Sequence, residues 1–235
     1  MQPIILALDT ATDACSVAIC TAKKTYARFI VEPQAHAKLL LGMVNDVCQE
    51  AGVEARDLDA LAFGRGPGSF TGVRIAAGVI QGLSIGLRKP IIAVSSLQAL
   101  AQQAANVHKK TSIVALIDAR MHEVYWGIYQ PADDGLVHSN NADALQKPEG
   151  LIFKQGGPYL SVGTGAAAYA KTLLQYNPDL QFDNTILYPR AEEVLQLALA
   201  KYGRGEILPP SEAIPTYVRN EVALKKKDLE KKNPD

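Results

Sequence analysis

Apolar residues recur along this chain either in short continuous runs or at helical intervals of three and four. A strand covered on both faces of a sheet carries apolar side chains at successive positions, so the short runs predict buried strands. In the first half we expect strands over residues 4–8, 16–20, 23–31, 58–63 and 91–94. The first two are close enough in the chain to form a hairpin.

Three helices are predicted between and after these strands. Apolar residues over 36–51 recur with helical spacing, and a second helix is expected over 70–87. Ser95, with Gln98 three residues later, predicts a capping box for a third helix that ends near residue 107.

The second half of the chain repeats the plan of the first. The apolar run 114–119 resembles residues 5–10, and each contains an aspartate, Asp118 or Asp9, before another predicted strand. Later in each half a strand leads through a glycine loop into a helix. This duplication predicts an α/β fold of two lobes, each a mixed sheet flanked by helices, as in the acetate/sugar kinase–Hsp70–actin proteins with their duplicated RNase H-like plan.

We expect the polar segment around residues 107–110 to separate the lobes. The prediction is a first lobe over 1–107, a second over 108–220, and a basic tail over 221–235. A lysine-rich run of this kind is typical of a solvated tail, although contact with tRNA or an acidic partner stays an alternative.

Composition limits the classes of function. The 235 residues carry 24 Lys plus Arg and 24 Asp plus Glu, so net charge gives no reason to expect a nucleic-acid or membrane partner. The three cysteines do not form a zinc or disulfide framework, which favours reduced thiols. The first apolar run is too short for a signal peptide or a membrane span. We therefore expect a cytoplasmic protein.

Seven short stretches resemble the bacterial TsaB (YeaZ) family, in order and over essentially the whole chain. They are DTATDACS at 9–16, GRGPGSFTGVR at 64–74, VSSL at 94–97, IDAR at 117–120, EVYW at 123–126, VGTG at 162–165 and PTYVR at 215–219. The resemblance implies a non-catalytic relative of TsaD, the enzyme that attaches a threonylcarbamoyl group to adenosine 37 of tRNA. It implies a TsaD-like partner, a TsaE-like ATPase that joins them, a homodimer when the protein is alone, and at most indirect contact with tRNA.

A metal site is not expected. A metal-dependent member of this superfamily would need two histidines four residues apart on the first helix, because a divalent metal requires several nitrogen or oxygen donors. Here His36 is followed at that spacing by Leu40. We interpret His36 as a surface or capping residue and predict no metal and no cofactor.

The glycine loops leave nucleotide binding open, since backbone N–H groups at a helix start attract phosphate. The candidate vestigial phosphate loops are Asp9, Thr10, Gly66, Gly68, Ser69, Asp118, Gly163, Thr164 and Gly165. The alternative is that the glycines only form tight turns, with positive φ expected at Gly68. Arg120 stands where phosphate-binding relatives have a small glycine turn, and could fill the cleft or meet an anion. A nucleotide-dependent phosphotransferase or a metal-dependent, glycoprotease-like hydrolase is therefore the alternative function.

The first two helices are more apolar than packing on one sheet requires. The second also places Gly78, Gly82 and Gly86 four residues apart, and each mid-helix glycine costs about 1 kcal/mol relative to alanine. Close packing against another element would compensate. Either the helices are buried within the fold or they bind a partner, and in the resembled family the corresponding helices join TsaD or a second copy. The predicted interface comprises His36, Leu39, Leu40, Met43, Val44, Arg74, Ile75, Gly78, Val79, Gly82 and Ile85.

Overall fold

The computed structural model describes residues 2–22, 24–109, 111–139, 141–153 and 158–219. The predicted basic tail lies outside the described residues. The first half contains strands β1 (Ile5–Asp9), β2 (Ala14–Cys20), β3 (Thr25–Val31), β4 (Ala60–Gly64) and β5 (Ile91–Val94), with helices α1 (His36–Ala51), α2 (Phe70–Leu87) and α3 (Ser96–Val107). The second contains β6 (Ser112–Asp118), β7 (Val124–Pro131), β8 (Val137–His138), β9 (Ala144–Gln146), β10 (Tyr159–Val162) and β11 (Gln181–Asp183), with α4 (Thr164–Tyr176) and α5 (Ala191–Gly203).

The two sheets share one strand order. The first runs β3-β2-β1-β4-β5 and the second β8-β7-β6-β10-β11, with β9 also paired to β7. In each sheet the first hairpin is antiparallel and the two later strands are parallel to the first strand of the lobe. The predicted α/β class, with two mixed sheets flanked by helices, is confirmed. In the described part of the second lobe, the short strands β8 and β9 stand where a helix equivalent to α1 would be expected.

Each sheet is covered on one face by a helix from the other half of the chain. Helix α3 contributes Leu97, Leu100 and Ala104 to a core with β6 and β10 of the second sheet. Helix α5 contributes Val194 and Leu195 to a core with β1 and β4 of the first sheet. The division of the lobes at residue 107 stays a prediction. Helices α3 and α5 each pack on the sheet that lies on the other side of this boundary.

Local differences from the predicted elements have physical causes. Strand β4 begins at Ala60 rather than at Leu58, because the 3₁₀ turn Ala55–Asp57 precedes it. Ser95 caps α3, since its Oγ accepts a hydrogen bond from Gln98 N at 3.2 Å. The predicted capping box is wrong, because the Gln98 side chain donates to Val137 O, on β8, at 3.0 Å.

Candidate functional site

A cleft of about 910 Å³ lies between the lobes, where the first strand of each sheet ends and helices α2 and α4 begin. Its walls include Ser69, Asp118, Arg120, Thr164 and Arg219. The fold therefore brings parts of both predicted glycine loops to one place.

In the first lobe the loop glycines permit close approach to the end of β1. A Cβ atom at Gly68 would lie 2.2 Å from Ala11 O, and one at Gly72 would lie 2.0 Å from Thr10 O. Gly66, with φ of 91°, is the loop glycine with left-handed backbone, so the expectation of positive φ at Gly68 is wrong. Steric exclusion by Ala11, in the segment after β1, explains the glycine at position 68.

Ser69 has the backbone role that a helix start requires. Its Oγ accepts a hydrogen bond from Gly72 N at 3.2 Å, and its own N–H donates to Ala11 O at 2.7 Å. These contacts bind the start of α2 to the segment after β1.

Asp9 is enclosed by the protein. Its Oδ2 accepts from Ser96 Oγ at 2.7 Å and its Oδ1 accepts from Ala11 N at 2.8 Å. Burial raises its pKa to about 6, although these two hydrogen bonds act in the opposite direction. The neighbouring Thr10 is also buried, and its hydroxyl donates to Gly72 O at 2.8 Å. Thr10 therefore joins the start of α2 to the end of β1, and Asp9 joins that strand end to the start of α3.

The second glycine loop is held in the same way. Gly163 has φ of 102°, and a Cβ there would lie 2.1 Å from Leu116 O. A Cβ at Gly165 would lie 3.0 Å from the Leu116 side chain. Thr164 Oγ1 accepts a hydrogen bond from Asp118 N at 3.0 Å, which fixes α4 to the end of β6. Close packing is a sufficient reason for these glycines.

Asp118 faces the cleft and begins a strained hairpin. Its Oδ1 accepts from Arg120 N at 2.9 Å. Arg120, Met121 and His122 all have φ between 55° and 61°, a left-handed conformation that costs non-glycine residues energy. The Arg120 side chain is 78% exposed and its Nη1 lies 3.7 Å from Asp118 Oδ2. Most of that side chain therefore faces solvent rather than filling the cleft.

His36 has a structural contact. It is buried, and its Nε2 lies 2.8 Å from Thr12 O, so this nitrogen carries a proton and donates. The interpretation of His36 as a surface or capping residue is wrong, because it joins α1 to the segment after β1. Within the described residues, no group of three or more His, Cys, Asp or Glu is arranged to hold a metal ion.

The predicted interface residues separate into three groups by burial. His36, Leu40 and Met43 are buried, and their placement on an outward face is wrong because α1 packs them against the first lobe. The residues Leu39, Val44, Ile75 and Val79 are partly buried and pack against the core of the first lobe. Arg74, Gly78, Gly82 and Ile85 are exposed on α2, with Ile85 67% exposed.

The three α2 glycines lie on an open surface. A Cβ added at Gly78, Gly82 or Gly86 would meet no atom within 4 Å in the described part of the chain. Intramolecular close packing therefore does not account for them. We call the exposed surface of α1 and α2 around these glycines the helical face.

Two apolar residues of the helical face were missed by the sequence prediction. Leu41 is 57% exposed and Phe70 is 54% exposed. The continuous run of three leucines ending at Leu41 was a usable signal, since a helix cannot bury three successive positions against one sheet. The Arg74 guanidinium lies 3.2 Å from the Phe70 ring centre and 5.2 Å from that of Tyr217, a contact that depends on the fold.

Helix α2 is also long and apolar enough to cross a membrane by length and composition. Its residues Val73, Ala76 and Ile80 are buried in the first lobe, and a core helix of a globular protein meets the same criterion. This property is weak evidence for a membrane span.

The family comparisons agree with one another. A family model described as TsaD, tRNA N6-adenosine threonylcarbamoyltransferase, matches residues 31–200. The structure of YeaZ from Pseudomonas aeruginosa is similar with a TM-score of 0.85 and 42% identity, covering 92% of this chain and 99% of that one.

Curated relatives match over nearly their whole lengths. The tRNA threonylcarbamoyladenosine biosynthesis protein TsaB of Escherichia coli strain K12 is 41% identical over 94% of this chain and 97% of its own. The TsaB protein of Haemophilus influenzae is 38% identical over 94% of this chain and 96% of its own. The chain therefore belongs to the TsaB (YeaZ) family, whose curated members are named for the biosynthesis of threonylcarbamoyladenosine on tRNA.

Proposed function

We propose that this protein is a non-catalytic scaffold that activates TsaD in the transfer of a threonylcarbamoyl group to adenosine 37 of tRNA. The observation that carries the proposal is the helical face, where Phe70 and Ile85 are exposed on the helix that carries an open row of glycines and Leu41 is exposed on α1. An exposed apolar surface is characteristic of a protein interface. Glycines without side chains let a partner helix approach the α2 backbone closely, which offsets their cost in helix stability.

The proposed partner is a TsaD-like paralogue in a heterodimer, joined by the ATPase TsaE. Alone, the protein would cover the same face with a second copy, since a two-fold homodimer is the simplest closed assembly. The two assemblies would then exclude each other. We further propose a cytoplasmic site of action, no resident cofactor and at most indirect contact with tRNA.

Gly82→Glu tests the face directly. An added side chain at this position meets open space, so the monomer should stay folded, whereas a buried charge in a dry interface costs several kcal/mol. We expect loss of the homodimer, loss of TsaD binding by at least about 100-fold, and loss of tRNA modification in a reconstituted assay. Sedimentation and circular dichroism check assembly and folding.

Gly203→Glu is the matched control. Gly203 ends α5, and a Cβ there also meets no described atom within 4 Å. This variant adds the same charge away from the helical face and should assemble and function as the wild type does. If Gly82→Glu dimerises and binds TsaD normally, the interface lies elsewhere.

The alternative is an enzyme, a nucleotide-dependent phosphotransferase or a metal-dependent hydrolase. The cleft supports it, because Asp118 and Thr164 line a cavity of about 910 Å³. Isothermal titration of the isolated protein with ATP, followed by an assay for ATP hydrolysis, distinguishes the two. We expect neither micromolar binding nor turnover, and observing both would favour the enzyme. Omitting each component from the reconstituted modification reaction then tests the scaffold role.

A further inference from the structure

The stretch PTYVR at residues 215–219 belongs to a segment that leaves α5 and returns along the first lobe. Gln81, on α2, donates from Nε2 to Pro210 O at 3.2 Å and to Ala213 O at 3.1 Å. Thr216 N donates to Arg65 O, in the glycine loop, at 2.8 Å. These three hydrogen bonds attach residues 210–216 to the first lobe.

The end of the same segment contacts the second lobe. Arg219 Nη2 lies 2.6 Å from Glu123 Oε2 and donates to Ala119 O at 3.1 Å. Arg219 Nη1 lies 3.2 Å from Met121 Sδ. The ion pair is mostly shielded from solvent, with side-chain exposures of 18% for Arg219 and 29% for Glu123. Charge-assisted bonds with limited exposure are stronger than surface ion pairs.

These contacts join two sequence stretches that the scaffold proposal leaves without a role, PTYVR and EVYW. We propose that residues 210–219 are a strap that holds the two lobes in one relative orientation, with Arg219 as its attachment to the second lobe. Along its path the strap forms part of the cleft wall, through Thr216, Tyr217 and Arg219. Helices α3 and α5 join the lobes through their cores, and the strap adds a link at the cleft.

The strap also holds the strained hairpin after β6. Residues 120–122 have left-handed backbone, which persists only where surrounding contacts stabilise it. Arg219 contacts the residue before this stretch, the middle of it and the residue after it, namely Ala119, Met121 and Glu123. Removing its guanidinium removes these contacts together, so the hairpin and the lobe orientation should loosen in the same variant.

Hydrogen exchange on the isolated protein tests the strap without any partner, so its outcome is separate from that of the scaffold proposal. In Arg219→Met we expect the amides of Ala119, Glu123 and Thr216 to exchange at least ten times faster than in the wild type. Spin labels on Arg56→Cys and Lys171→Cys in a Cys48→Ala background, diluted with unlabelled protein, should show a broader distance distribution between the lobes.

Arg28→Met is the matched control, because it removes the Arg28–Glu50 pair of 2.7 Å within the first lobe. It should change neither the exchange of the three amides nor the distance distribution. The charge exchange Arg219→Glu with Glu123→Arg should restore part of the protection that Arg219→Glu alone removes.

If Arg219→Met does not fold, Glu123→Gln replaces it, since this variant keeps the Arg219 bond to Ala119 O. This variant should raise the exchange rates of the amides at position 123 and at Thr216 by a smaller factor than Arg219→Met does. Its circular dichroism spectrum should match that of the wild type. A folded Arg219→Met or Glu123→Gln protein with wild-type exchange and an unchanged distance distribution would overturn the strap.

Discussion

The aspartates that end β1 and β6 occupy equivalent strands of the two sheets, and their surroundings differ. Asp9 is 1% exposed and binds Ser96 and Ala11 with its two oxygens. Asp118 lines the cleft, and its side chain is 22% exposed. The residue type and strand position are shared, so the segments packed around each aspartate cause the difference.

In the first lobe those segments come from the first half of the chain, although Ser96 is far from Asp9 in sequence. The segment after β1 and the start of α3 enclose Asp9, and burial raises its pKa. In the second lobe the hairpin after Asp118 is held by Arg219, from a distant part of the chain. Two sheets with the same strand order therefore have a closed strand end in one lobe and an open one in the other.

The largest expected effect comes from a side chain at the closed strand end. Gly68→Val should lower the free energy of unfolding by about 3 kcal/mol, because overpacking against fixed backbone is costly and its Cβ would lie 2.2 Å from Ala11 O. Chemical denaturation measures the loss. Gly42→Val on α1, where a Cβ meets no described atom within 4 Å, is the control and should change stability little. An unaltered denaturation midpoint in Gly68→Val would show that the loop can move away from β1.

The substitution Asp9→Asn tests whether burying the charge of Asp9 at the closed strand end lowers stability. The pKa of Asp9 is about 6 in the folded chain against an ordinary 3.8, so folding disfavours its charged form. Below about pH 4 the carboxyl of Asp9 is protonated in both the folded and the unfolded chain, so it does not change the free energy of unfolding. As pH rises through 6, the buried charge lowers that free energy by at most about 3 kcal/mol. The asparagine oxygen can still accept from Ala11 N, and its amide N–H would donate to Ser96 Oγ rather than accept from it, all without a charge. We expect the variant to gain stability relative to the wild type between pH 4 and pH 7.

Denaturation of both proteins across this range measures that difference. Comparing the two is necessary, because burial also raises the pKa of Glu193 to about 7 and gives the wild type a slope of the same sign. If the free energies of unfolding of the wild type and of Asp9→Asn change with pH in parallel, Asp9 is not buried in its charged form.

The smallest effect is expected at the start of α2. Ser69→Ala removes the N-cap bond to Gly72 N and should cost about 1 kcal/mol. Ser69→Asp, which also accepts this bond and places a negative charge at the helix start, should restore most of the loss. Thermal unfolding measures both variants. If Ser69→Ala is as stable as the wild type, the side-chain cap is not needed, and the backbone hydrogen bond between Ser69 N and Ala11 O is enough to hold the start of α2.

Much of the fold could be predicted because it depends on local pattern. The bounds of α1 and α2 follow from helical spacing and the nearby glycines, and the observed helices agree with them. The seven short stretches were sufficient to identify the family. The capping box at Ser95 failed because Gln98 finds its partner on β8, a contact that local sequence does not reveal.

The site was less predictable for the same reason. The apolar surplus on α1 and α2 is visible in the sequence, but periodicity did not show that Leu40 and Met43 are buried while Leu41 is exposed. Similarly, the glycine loops could be located, whereas their packing against Ala11 and Leu116 depends on segments that meet only in the fold.

The sequence alone determined the strands and helices of the first half and the family, since hydrophobic spacing and short motifs are properties of neighbouring residues. The tertiary structure decided that Asp9 is enclosed, that Asp118 faces a cleft, and that Arg219 pairs with Glu123. Burial, pKa and ion pairing depend on which distant segments come together. Arg219 and Glu123 are 96 residues apart, and only folding brings them to 2.6 Å.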